Sequence, residues 1–174
     1  MNKKGFTLVE LLGVIVVLAI LLTLVVFAYS RYLSASRDKL FRVAVNSFED
    51  STLEAITDCT NGTHNSFCTN HSIPEMGESI TVTLAELEAN NYIERIKNPY
   101  DKGGDPCTGT IVATRETTAD KSNISFTYKT CLVCGETGNK ARFTMGSIMY
   151  EKGSSDSEIA SCTGLSSTEI NSLK

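Results

Sequence analysis

The side chains best equipped for chemistry in this chain are its six cysteines: Cys59, Cys68, Cys107, Cys131, Cys134 and Cys162. Cys131-Leu132-Val133-Cys134 is a CxxC, a spacing that suits thiolate chelation of a metal or cycling between dithiol and disulfide. With Cys107 and Cys162 it would complete a four-thiolate zinc site, and Cys59, His64, Cys68 and His71 also have loose metal-ligand spacing. No thioredoxin-like βαβ pattern surrounds the CxxC, which argues against redox catalysis. An even cysteine count outside the cytoplasm reads instead as a disulfide framework, because oxidation there competes with metal for the thiols. Local closure suggests Cys59–Cys68. Cys107 with either Cys131 or Cys134 would staple adjacent strands, and the other pairings stay open. Disulfides are the favoured reading, with no resident metal and no cofactor. No Ser/His/Asp set, phosphate-cradling loop or paired-acid site stands out, so the chain is not expected to be an enzyme.

Glu10 is the other unusual residue, because it heads a long uncharged run. Between Glu10 and Arg31 there is no charged side chain, and residues 11–28 read LLGVIVVLAILLTLVVFA. Phe6 to Ala28 is 23 residues, about 35 Å of helix against a hydrocarbon core of about 30 Å. A membrane span is therefore expected, with Lys3 and Lys4 holding the N-terminus in the cytoplasm and the body outside. A Sec signal peptide cut at Ala28-Tyr29-Ser30 competes with this reading. Its apolar stretch is normally shorter, however, and it has no use for a carboxylate at the head of the run. An acidic group there is costly unless paired, so Glu10 reads as functional.

The residues around Glu10 carry a resemblance. Lys3-Lys4-Gly5-Phe6-Thr7-Leu8-Val9-Glu10-Leu11-Leu12 resembles the prepilin processing motif of type IV pilins and type II secretion pseudopilins. The resemblance implies cleavage by a prepilin peptidase between Gly5 and Phe6, N-methylation of Phe6, and a role for Glu10 in assembly. It also implies partners: other pilin subunits in a homo- or hetero-oligomeric fibre, the peptidase, and a motor ATPase with its platform protein. The chain would lie in the cytoplasmic membrane, N-terminus inside and head outside, and reach the cell surface in a fibre. One departure is the lack of a Pro inside the span, where many major pilins have one. Asp101 and Asp105, flanking Gly103-Gly104, loosely resemble a pseudopilin calcium loop. Two carboxylates fall short of the roughly six oxygens calcium takes, so a plain turn is favoured.

The elements that would position these residues can be read from pattern. The 174 residues suit one compact domain. The formal charge of −4 gives no bulk reason to bind nucleic acid. Ser and Thr supply 38 positions, most of them in the polar body. Tyr32, Leu33, Leu40, Phe41, Ala44, Val45, Phe48 and Leu53 have helical spacing, so the helix is expected to continue to about residue 57 and stop at Asn61-Gly62. Residues 59–78 read as loop. Leu84–Tyr92 reads as a short helix with Thr83 as N-cap and Glu86 completing a capping box. Asn98 to Pro106 is turn chemistry. Gly109–Thr114, Ile124–Cys131 and Arg142–Tyr150 read as strands, and the tail from Gly153 as weakly patterned. The expected fold is α+β and pilin-like, a long N-terminal helix packed on a small antiparallel sheet. The expected divisions are a leader at 1–5, a helix at 6–57 whose membrane and assembly part is 6–29, and an extracytoplasmic head at 58–174. The competing function is a single-pass or Sec-exported binding protein stabilised by disulfides or zinc.

Overall fold

The computed structural model describes residues 8–101, 103–116, 125–135 and 139–174. Helix α1 runs Leu8–Thr60. It ends because Gly62 takes a left-handed φ of 83°, a conformation that costs glycine nothing, while the Thr63 N–H returns to the Asp58 carbonyl. The chain divides into two units inside α1, Met1–Arg37 and Asp38–Lys174.

In the second unit α1 is amphipathic. Phe41, Val45, Phe48, Ala55 and Ile56 are buried at helical spacing, one stripe facing a core, whereas Tyr32, Leu40 and Leu53, expected on that stripe, are exposed. After α1 come α2 (Ser66–Asn70), β1 (Ser79–Thr83), α3 (Leu84–Ala89), β2 (Cys107–Arg115), β3 (Phe126–Cys134), α4 (Asn139–Glu151), α5 (Asp156–Thr163) and α6 (Ser167–Asn171). The three strands form one antiparallel sheet in the order β1-β2-β3. Ile80 and Val82, Ile111 and Ala113, and Leu132 and Cys134 alternate onto the buried face, as the period of two requires. Gly109 belongs to that face, and a Cβ there would lie 2.5 Å from the Cys131 carbonyl oxygen and 3.1 Å from the Phe48 ring. Its lack of a side chain lets α1 press onto β2. The architecture is α+β: a long apolar N-terminal helix and a small three-stranded antiparallel sheet.

The structure corrects several expectations. Arg142–Tyr150 is not a strand but most of α4. Its buried residues, Ala141, Met145, Ile148 and Met149, recur at helical rather than alternating spacing. Residues 59–78 are not all loop, since they hold α2, whose N-cap Asn65 accepts the Cys68 N–H. β1 has no counterpart among the expected strands, although Ser79-Ile80-Thr81-Val82-Thr83 alternates cleanly. The Thr83–Glu86 capping box is present, but α3 ends at Ala89, short of Tyr92, and Asn91 turns left-handed at φ 61°. The tail is ordered: Ser155 with Glu158 and Ser166 with Glu169 form capping boxes that start α5 and α6. Of the expected strand Ile124–Cys131, Ile124 lies outside the described residues, and β3 extends three residues further, to Cys134.

Candidate functional site

The first candidate is the start of α1. Gly5 and Phe6 lie outside the described residues. Glu10 lies in the first described turn of α1, and it is exposed. Every side chain from Leu8 to Val26 is exposed, and the segment's mean hydropathy reaches 3.2 over an 18-residue window. The helix is long and apolar enough to cross a membrane. Thr23, its one hydroxyl, donates to the Ile20 carbonyl at 2.7 Å, which satisfies the group within the helix. Apolar residues cover all sides, so the segment reserves no face for a soluble core. That pattern belongs to lipid or to packed neighbouring helices. The arrangement fits a membrane-anchored protein.

The second candidate is the cysteine set. Cys59 joins Cys68, Cys107 joins Cys134, and Cys131 joins Cys162. The pairing is set by strand geometry. Cys107 and Cys134 are register partners on β2 and β3, both on the buried face. Cys131, three residues from Cys134, points to the opposite face and reaches Cys162 on α5. The two sulfurs of the CxxC therefore diverge to different partners, and the four thiolates a zinc site would need are all consumed in disulfides. His64 is exposed. The His71 Nε2 lies 3.1 Å from Glu86 Oε1, with its ring 4.6 Å from that of Phe67. Asp101 accepts the Gly103 N–H at 3.2 Å, and the Asp105 carbonyl accepts the Asn98 N–H at 2.9 Å. Both residues do the work of a turn.

Sequence reasoning missed the polar ties between α1 and the rest of the head. Tyr100 donates to Asp38 Oδ1 at 2.7 Å and lies 2.8 Å from the Thr144 hydroxyl, linking α1 to α4. Burial, reinforced by Asp38, pushes the Tyr100 phenol up to about 12. Arg42 forms a bidentate pair with Glu151 at 2.7 Å on both arms, a fork geometry that Lys could not supply. Glu49 accepts from Thr130 and from Lys152. Each tie crosses a long sequence separation, so only the fold brings its partners together. Local carboxylates are tuned as well. The Lys129 ammonium, with the Ser155 N–H and hydroxyl, pulls the Glu158 carboxyl down to about 2. Burial raises Glu86, but hydrogen bonds from Thr83 and His71 outweigh it and hold the group below the usual range.

No curated protein and no solved structure matches the chain. Residues 1–26 match the family model of the prokaryotic N-terminal methylation motif, the segment that holds Gly5, Phe6, Glu10 and the first part of the apolar helix. At its N-terminus the chain therefore carries the prepilin-type signature of type IV pilins and pseudopilins.

Proposed function

We propose that this protein is a structural subunit, a pilin or pseudopilin, of a type IV pilus-like or type II secretion-like fibre. The observation that supports this most strongly is the methylation motif running directly into an apolar helix whose side chains from Leu8 to Val26 are all exposed. In this reading a prepilin peptidase cuts after Gly5, removes Lys3 and Lys4, and leaves a methylated ammonium on Phe6. The small Gly5 admits the peptidase backbone to the scissile bond. Lys3 and Lys4 hold the precursor's N-terminus in the cytoplasm, which puts the disulfide-bonded head outside.

Glu10 and the Phe6 ammonium of a neighbouring subunit neutralise one another among packed helices. Breaking such a buried pair costs about 3–5 kcal/mol, so it sets axial register while Leu, Ile and Val supply the adhesion. The protein works by assembly rather than turnover, with a motor ATPase and platform protein driving extrusion. Mass spectrometry of the mature N-terminus tests the reading. Methyl-Phe6 is the expected terminus. Arg31 at the terminus would mark a cleaved signal peptide, and an intact Met1 a plain anchor; either would reject the proposal.

A further inference from the structure

The sheet face turned away from α1 is paved with hydroxyls. Along the register, Ser79, Thr114 and Thr127 form one cross-strand row, Thr81, Val112 and Lys129 the next, and Thr83, Thr110 and Cys131 the third. Several of these hydroxyls are committed within the protein. Ser79 Oγ lies 2.8 Å from Thr114 Oγ1, Thr127 donates to the Thr114 carbonyl, and Thr83 caps α3. Thr81, Thr108 and Thr110 lie exposed on this face, and their hydroxyls have no side-chain partner among the described residues. The face runs into a groove of about 420 Å³ between the sheet and α5, with Thr110, Val112 and the Cys131–Cys162 disulfide on its floor and Ser154 and Ser161 along its wall. That volume lies within the range of small-ligand clefts, about 300–1,000 Å³.

The charge pattern narrows the ligand. The chain has 20 Asp and Glu, yet the carboxylate on this groove is Glu158, which is already engaged. One of its oxygens takes Lys129 Nζ at 2.6 Å, and the other takes the Ser155 N–H and hydroxyl at 2.8 Å. Among the described residues lining the groove, the cation Lys129 is thus neutralised by the anion Glu158, which leaves little net charge to draw an ionic ligand. Hydroxyls both donate and accept, so they match a partner whose own polar groups are hydroxyls in any orientation. Half-buried Val112 offers a small apolar patch for the C–H face of a sugar ring. We propose that the outer sheet face and the groove beside α5 bind a neutral polysaccharide, with Thr81, Thr110 and Ser161 as hydrogen-bonding contacts. This goes beyond assembly and does not depend on it.

The test uses the full chain in a zwitterionic detergent without a sugar headgroup, with threonine methyl groups labelled for NMR. Cello- and malto-oligosaccharides are the neutral probes; a heparin oligosaccharide, single-stranded DNA and an extended peptide are the comparators. The expected result is a saturable shift of the Thr81 and Thr110 methyl signals with a neutral probe, while Thr57 and Thr60 on α1 stay still. Thr110→Val keeps the shape and the strand preference and should weaken binding about tenfold, the loss of one well-made hydrogen bond. Ser161→Ala, on an exposed helix face, should weaken binding in the same direction without touching the sheet. Absence of a saturable shift with every neutral probe would overturn the proposal. So would a larger shift with heparin, DNA or peptide, or unchanged affinity in both variants.

Discussion

Leu8–Val26 and Phe41–Ile56 belong to one helix, yet every side chain of the first is exposed, whereas Phe41, Val45, Phe48, Ala55 and Ile56 of the second are buried. The difference lies in pattern more than in hydrophobicity. The first stretch is apolar at every angle around the helix, so no single contact surface within one chain could cover it. The second gathers most of its apolar groups on one stripe, leaving Val43 and Leu53 exposed, so the head's own core can cover that stripe. An exposed Leu or Ile forgoes about 1.5–3 kcal/mol relative to burial. The N-terminal stretch forgoes that many times over until lipid or neighbouring helices cover it. The head closes its own core; the N-terminal segment is built to be completed by something else.

The largest expected effect comes from making the same truncation in both regions. Phe48→Ala removes a ring that is 0% exposed and should destabilise the head by about 3–5 kcal/mol. Leu18→Ala should leave head unfolding within about 0.5 kcal/mol. Urea melts of the two variants in detergent check the contrast, and equal losses would break it. Next comes the Cys131–Cys162 staple, which closes a loop with a sequence separation of 31. Replacing both cysteines with Ala should cost about 3 kcal/mol, read as a fall in the head's thermal midpoint with no change in membrane retention.

How much of this contrast was legible in the sequence depended on how local the signal was. The span of α1 is local, as is the Thr83–Glu86 capping box, and both could be read directly. The stripe of α1 was legible only in part, since Tyr32, Leu40 and Leu53, expected on it, are exposed while Ala55 and Ile56 are buried. The same S-x-x-E signature at Ser155–Glu158 and Ser166–Glu169 marked α5 and α6 but was lost in a Ser-rich tail. In Arg142–Tyr150 the β-rich composition hid a helical period of buried residues. Cys131 with Cys162, and Glu49 with Thr130 and Lys152, were not readable at all. Those pairs depend on strand register and on where α5 lies, which only tertiary packing decides.

A smaller effect isolates one of those caps. Ser155→Ala removes the side chain that accepts the Glu158 N–H and should cost the head about 1 kcal/mol. The finest comparison is in pH. Glu86, Glu151, Glu158 and Glu169 are all held below the ordinary carboxylate range. They bind protons more weakly in the folded head than in the unfolded chain. Their contribution is therefore complete above the unfolded value, about 4.3, and is lost as pH falls through the folded values, which for Glu158 is about 2. Urea midpoints should decline as pH falls across that window, and less steeply in Ser155→Ala. A flat profile would remove these carboxylates from the account of head stability.

The central claim, that the N-terminal segment is completed by other subunits, is tested most directly at Glu10. Glu10→Leu makes the segment easier to hold in lipid and lies far along the chain from the head's core, so export, cleavage after Gly5 and head folding should persist. The measurement is the ratio of sheared surface fibre to membrane-bound mature subunit, with cleavage confirmed separately. The account predicts mature subunit accumulating in the membrane with the fibre lost. Fibre at the unmodified protein's level from the Leu variant would contradict it.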